Sequence, residues 1–361
     1  MRNGAKESKK ILLGCMIASV LVVVFFLSSG FSDPLVKVRS VLDRARDSGL
    51  APLPSASKLV SMQKDLLATS RMTKEQVELG KILYFDPRLS GDKLHSCNSC
   101  HNISLFGTSY TEAANNPQHL AVPTIFNAMF NDSLYYRGRI NKTDKADKNT
   151  TKFDSKHLLS RAALRSLSAK NEMNSDPFFL ARELAKSSEY ASYFKRAYGS
   201  KVKISPELIA ESLASFILTL NTFSRYDDFL AGNIKALSLE EIDGLEVFIE
   251  RGCVSCHNGI NLGGNMQPFE VLRDYKFKNI GEAQVNEDSL MKVPTLRNVT
   301  ATAPYFYNGA LDSLEDAIKE MGRIQLGVDL SNKDIKKLVT FFQSLKGVPE
   351  ATELPLLPSM R

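Results

Sequence analysis

The chain predicts a mainly α-helical protein made of two homologous domains in tandem, preceded by a hydrophobic N-terminal segment. Three observations carry that reading. First, the pentapeptide C-x-x-C-H occurs twice, as Cys97-Asn98-Ser99-Cys100-His101 and as Cys253-Val254-Ser255-Cys256-His257. Second, a block downstream of each copy is also repeated: Val122-Pro123-Thr124-Ile125-Phe126-Asn127 pairs with Val293-Pro294-Thr295-Leu296-Arg297-Asn298. In both copies the Asn precedes a Gly, Gly138 or Gly309, by eleven residues, with aromatic residues before the Gly. Third, apolar residues recur mostly at helical spacing, and few stretches alternate as strands do. Two repeats with one motif each mean two domains rather than a solenoid.

The elements follow in order. Arg2, Lys6, Lys9 and Lys10 precede a charge-free run from Ile11 to Leu27, and Ser28-Ser29-Gly30 follows. Residues 11–27 read as a membrane anchor, with a signal peptide cleaved after Gly30 as the alternative. Either way the basic end stays in the cytoplasm and the rest crosses the membrane. Cys15 reads as a helix-packing residue. Residues 31–74 are a Pro-punctuated lead-in, broken at Pro52 and Pro54, with a short helix expected over Ser61 to Leu67. The first domain is assigned to 75–225. Thr73 caps its first helix with Gln76 at the third helical position, and Pro87 ends it. Ser205-Pro206-Glu207 starts a long helix running to Leu220, with Ser as cap and Pro at the first position. Asn141 to Lys156 is polar and charged without an apolar period, and reads as a solvated loop. Residues 225–237 bridge to the second domain, 226–361. There Ser238 caps a helix through Glu241, and Gly252 stops it before Cys253. The 361 residues and 43% hydrophobic content suit two modest domains plus an extra segment. A net charge of +6, scattered along the chain, argues against a nucleic-acid partner.

The pentapeptides carry the chemistry. Two thiols three residues apart can each add to one vinyl group of the same porphyrin, and the next His binds its iron. A disulfide over two intervening residues is strained outside redox chemistry, and a zinc site gains nothing from the adjacent His. The expectation is two covalently bound c-type haems in cytochrome c-like domains. Covalent haem needs thiols outside the bacterial cytoplasm, which agrees with the export segment and places the protein in the periplasm.

Further stretches give the chain a family resemblance. They are Leu79-Gly80-Lys81, Tyr84-Phe85-Asp86-Pro87-Arg88-Leu89-Ser90, Asn258 to Gly264, Val293 to Asn298, Ala303-Pro304-Tyr305-Phe306 and Met321 to Gly327. Over about residues 75–347 the chain resembles the bacterial di-haem cytochrome c peroxidases. The resemblance implies a peroxidatic N-terminal haem and an electron-transfer C-terminal haem, with His101 and His257 as proximal iron ligands. It makes Met321 the distal ligand of the C-terminal haem, where His/Met ligation raises the potential; ordinary core packing is the other reading of a Met. It makes Glu172 the catalytic carboxylate, with a pKa raised by an apolar haem pocket so that it can take and return a peroxide proton. It makes the carbonyls of Thr302 and Pro304 donors to a calcium ion between the domains. Ala121 stands where the family places an Asn for that ion. Tyr136 takes the place of a Trp between the haems. The segment Gly107 to Asn116 lacks the family's distal His. His119, the only one nearby, falls nearer to a His the family sometimes carries without using as a ligand, so two readings stand: His119 as sixth ligand of the N-terminal haem, or no protein ligand there and an open haem. His95 and His157 read as surface residues.

The implied function is reduction of hydrogen peroxide to water, with electrons from a small cytochrome c or similar donor, in a homodimer on the outer face of the cytoplasmic membrane. Two alternatives stand beside it. One is a di-haem electron carrier or sensor without turnover. The other is a di-haem enzyme oxidising a protein or organic substrate, a type in which Tyr replaces the distal Met of the C-terminal haem.

Overall fold

The structure is a computed structural model and describes residues 33–65, 72–109, 121–141, 158–269, 271–277 and 288–360. The N-terminal hydrophobic segment with Cys15, His119, His157 and nearly all of the polar loop lie outside the described residues. Among the described residues, no helix is long and apolar enough to cross a membrane.

Two helical cores account for most of the buried apolar residues. The first is built from α3 (Lys74–Phe85), α5 (Leu158–Ser168), α6 (Pro177–Lys186), α7 (Ser188–Tyr198) and α8 (Pro206–Ile217). The second is built from α9 (Arg225–Leu230), α10 (Leu239–Glu250), α11 (Leu314–Gln325) and α12 (Asn332–Gln343). The remaining helices are α1 (Pro34–Asp47), α2 (Ala56–Asp65) and the single turn α4 (Cys97–Cys100). Two short antiparallel pairs complete the fold. β1 (Ser133–Leu134) joins β2 (Ile140–Asn141), and β3 (Met266–Pro268) joins β4 (Leu290–Lys292) with Met266 opposite Lys292.

The duplication is visible in the helix starts and crossings. Thr73 and Gln76 form a reciprocal capping box at 3.2 and 3.1 Å, and Ser238 and Glu241 form its counterpart at 3.3 and 2.9 Å. Gly80 on α3 sits so close to α8 that an added Cβ would lie 1.9 Å from the Ser212 carbonyl oxygen. Gly244 on α10 meets the Lys337 carbonyl on α12 in the same way, at 2.1 Å. Each crossing is flanked by an aromatic pair, Tyr84 with Phe216 and Phe248 with Phe341. The loops repeat as well. Asn127 and Asn298 both have left-handed backbones, φ 56° and 60°, as do Tyr135 and Phe306 at 61° and 65°. The two Asn side chains converge on Thr222, which joins the halves: Thr222 Oγ1 lies 3.2 Å from Asn127 Nδ2 and 2.9 Å from Asn298 Nδ2.

Three elements depart from expectation. The lead-in helix α2 begins at Ala56, directly after the Pro54 breaker, rather than at Ser61. The helix from Ser205 ends at Ile217, because the next N–H groups, of Thr219 and Leu220, bond three residues back, to the Phe216 and Ile217 carbonyls at 2.9 and 3.0 Å, and the chain then turns so that the Leu220 carbonyl accepts the Asn127 N–H at 2.8 Å. Residues 225–237 are more than a bridge, since α9 buries Tyr226, Phe229 and Leu230 in the second core. The first described helix and the tail also cross over. α1 packs Val38, Val41, Leu42 and Ala45 into the second core, with Lys37 Nζ 2.5 Å from Asp243 and 3.1 Å from Glu246. The extended tail returns to the first half, where Met360 packs on its core and Arg88 donates to the Pro358 carbonyl at 2.8 Å.

Candidate haem sites

The C-terminal site starts where α10 ends. Gly252 takes φ +82°, and Cys253–Ser255 follow as one tight turn. The His257 N–H bonds the Cys253 carbonyl at 3.1 Å, which places the ring next to both thiols in sequence and in space. His257 Nδ1 lies 3.1 Å from the Leu262 carbonyl oxygen. A carbonyl only accepts, so Nδ1 carries the proton and Nε2 keeps its lone pair for a metal. Burial lowers the His257 pKa to about 4, which keeps the ring neutral at neutral pH.

Cys253, Cys256 and His257 line a cavity of about 240 Å³, and so does Met321 from the middle of α11. Apolar side chains, among them Phe248, Leu296, Ile318, Leu338 and Phe342, form much of the remaining lining. Tyr136, Thr302 and Pro304 reach the same cavity. Two thiols, an imidazole with a free Nε2 and a thioether around one apolar space fit a tethered iron porphyrin. These four residues span 69 positions of the chain from Cys253 to Met321 and converge only through the fold.

The N-terminal site repeats the proximal half of this geometry. Cys97 and Cys100 bracket α4, the His101 N–H bonds the Cys97 carbonyl at 2.8 Å, and His101 Nδ1 donates to the Gly107 carbonyl at 3.1 Å. Burial lowers the His101 pKa and raises the Cys97 thiol to about 12. Glu172 sits in the turn after α5, its N–H on the Ala169 carbonyl at 3.0 Å. Its charge reaches the site: after burial, it helps raise the Cys100 thiol, and it partly offsets the lowering at His101. Its side chain is exposed, so the protein's own side chains do not provide the apolar enclosure expected for it. His95 is exposed, its Nδ1 within hydrogen-bond distance of Asp92 at 2.8 Å.

The repeated Val-Pro-Thr block has a structural role for its Thr that the sequence does not announce. Thr124 Oγ1 donates to the Phe106 carbonyl at 2.5 Å, and Thr295 Oγ1 donates to the Asn261 carbonyl at 2.6 Å. Each bonded carbonyl directly precedes the one that orients the imidazole. The two threonines therefore hold the loops that set His101 and His257. Their signal was recurrence at the same place in both copies. Arg297, where the first copy has Phe126, is buried and forks onto Asp227 at 2.8 and 3.0 Å.

Between the halves, Tyr136 donates to the Ala121 carbonyl at 3.2 Å, and its ring centroid lies 6.4 Å from that of Tyr307. Burial raises its pKa. The Ala121 side chain offers no oxygen to a cation, and its carbonyl is already bonded to Tyr136. Lys292, which sequence reasoning missed, lies 6.0 Å from the Tyr136 ring centroid on the wall of the C-terminal cavity. Burial lowers its pKa to about 8.

A family model described as di-haem cytochrome c peroxidase matches residues 74–235. The chain is 34% identical to the cytochrome c551 peroxidase of Nitrosomonas europaea, covering 79% of this chain and 84% of that protein. It is 32% identical to the cytochrome c551 peroxidase of Pseudomonas aeruginosa over 95% of this chain and 97% of that protein. It is also 27% identical to the methylamine utilization protein MauG of Methylorubrum extorquens, covering 80% of this chain and 82% of that protein. Among solved structures, a MauG-like protein associated with microbial copper homeostasis superposes with a TM-score of 0.61, at 20% identity, covering 77% of this chain and 91% of that one. The chain belongs to the di-haem cytochrome c peroxidase family and has its mainly helical fold.

Proposed function

We propose that the chain is a c-type di-haem peroxidase that reduces hydrogen peroxide to water with electrons from a small cytochrome c or similar donor. The observation that carries this reading is the asymmetry of the two sites. Both have paired thiols and an oriented imidazole. The C-terminal site adds a thioether, Met321, on the same cavity, whereas the N-terminal site has a carboxylate, Glu172, whose charge is felt at Cys100 and His101. A thioether suits electron storage, and a carboxylate suits proton handling.

In this reading Cys97, Cys100, Cys253 and Cys256 tether two haems, and His101 and His257 bind iron through Nε2. The haems, when bound, supply electron storage and the site of peroxide reduction. Glu172 takes a proton from peroxide and returns it to the departing oxygen. Each peroxide consumes two electrons and two protons and leaves as two waters. Tyr136 fills the space between the halves. Thr302 and Pro304 offer their carbonyls to a calcium ion. The protein works in the periplasm, as a homodimer, held to the inner membrane by residues 11–27. Met321, rather than a Tyr, on the C-terminal cavity favours peroxide reduction over oxidation of a protein or organic substrate.

Turnover of peroxide by the haem-loaded chain with a reduced small cytochrome c tests this. Glu172→Gln is expected to lower kcat by roughly 10²–10⁴ while both haems stay attached. Unchanged kcat in that variant removes Glu172 from the chemistry. A haem-loaded wild type with no turnover leaves an electron carrier.

A further inference from the structure

We propose that Lys292 is a cofactor-binding residue whose ammonium pairs with a propionate carboxylate of the haem tethered at Cys253 and Cys256. The inference rests on the reading that the C-terminal half carries a haem. Lys292 ends β4, where its backbone N–H bonds the Tyr136 carbonyl at 2.8 Å and fixes the strand beside the cavity. The residue is only 6% exposed, yet it lines the cavity that Cys253, His257 and Met321 also line. Among the described residues, no carboxylate forms an ion pair with it. Its Nζ stands over the Tyr136 ring, 6.0 Å from the centroid.

The magnitudes decide what is missing. A cation over a tyrosine face gains about 0.5–2 kcal/mol. Removing an ammonium from water costs several kcal/mol, of order more than the ring returns. A buried cation on a cavity wall therefore calls for an anion in the cavity. A haem brings two carboxylates and is otherwise apolar, as this cavity is.

The duplication sharpens the point. Lys292 precedes Val293 as Ala121 precedes Val122, and both residues line this cavity. One copy thus places an ammonium where the other has a methyl group. A fixed positive charge near an iron porphyrin favours its reduced form. Lys292 would act in the same direction as Met321, on the haem that stores the electron.

Potentiometric titration of the haem-loaded full chain tests this, with Lys292→Met removing the charge and Lys292→Arg keeping it. In the Met variant, the ferric-to-ferrous ratio of the C-terminal haem at a fixed potential should rise about tenfold, a midpoint fall of about 59 mV. The Arg variant should stay within about twofold of wild type. Loss of the C-terminal haem in the Met variant alone also supports the pairing. A Met variant that titrates like wild type overturns it, as does an equal shift or equal haem loss in both variants. If the wild-type C-terminal half carries no haem, both this inference and the reading beneath it fall. If the potentials respond to Lys292 but peroxide is not turned over, only the proposed activity falls.

Discussion

Asp86 is fully buried and lies in a network that no local motif announces. Arg88 forks onto it at 2.7–3.1 Å, and the Tyr190 hydroxyl donates to it from α7. Burial, with Asp86 adding to it, raises the Tyr190 pKa above the ordinary tyrosine value. The unfolded chain loses this proton near pH 10, and the folded chain holds it. The stability involved is intact below about pH 10 and is lost as pH rises beyond it. Tyr190→Phe should flatten that alkaline fall by up to about 1.4 kcal/mol per pH unit in urea midpoints taken between pH 10 and 11. An unchanged slope would mean that Tyr190 ionises freely. At this scale the sequence spoke clearly only where partners are neighbours. The order Cys-x-x-Cys-His brings thiols and imidazole together along the chain, so both sets were legible. Lys292 and the Thr124 and Thr295 bonds were not, because their partners lie in other loops.

The helix crossings repeat at the scale of elements. Gly80 against Ser212 and Gly244 against Lys337 let α3 meet α8, and α10 meet α12, backbone to backbone. A methyl group at either position has to displace a carbonyl, not a flexible side-chain tip. Gly80→Ala and Gly244→Ala should each destabilise the protein by about 2 kcal/mol or more, read as a lowered urea midpoint with the haem spectrum as a local reporter. Helix propensity predicts the opposite sign, a gain of roughly 0.5–1 kcal/mol on replacing Gly by Ala. A stabilised variant would therefore show that the close approach relaxes at little cost. The caps of these helices were readable from Thr73, Ser205 and Ser238, since a cap bonds N–H groups two or three residues on. The end of α8 was not, because its apolar stripe continues to Leu220 while the backbone tightens into three-residue turns after Leu218, on the way to the Asn127 loop.

At the scale of the whole molecule, the first described helix and the C-terminal tail are held by opposite halves. α1 is embedded in the second core. The tail reaches the first through Met360, the Arg88 bond to Pro358, Ser187 to the Ser359 carbonyl at 2.5 Å and the Ser359 N–H to Glu189 at 3.1 Å. The crossing ties the halves together in addition to the Asn127–Thr222–Asn298 junction. Deleting residues 349–361 removes the tail contacts and should cost about 2–3 kcal/mol, at roughly 1 kcal/mol per hydrogen bond. The loss should appear as earlier urea unfolding at the N-terminal haem than at the C-terminal one. Coincident transitions at the wild-type midpoint would mean that the strap contributes nothing.

The sequence by itself determined the paired thiols with their adjacent imidazoles, the duplication and most helix starts, because each depends on residues close together in the chain or on recurrence that can be read directly. Only the tertiary structure decided that Met321, Lys292, Tyr136, Thr302 and Pro304 share a cavity with His257, and that α1 and the C-terminal tail pack on opposite halves. Those outcomes depend on which apolar faces bury one another across long separations, and spacing along a chain does not encode that distance.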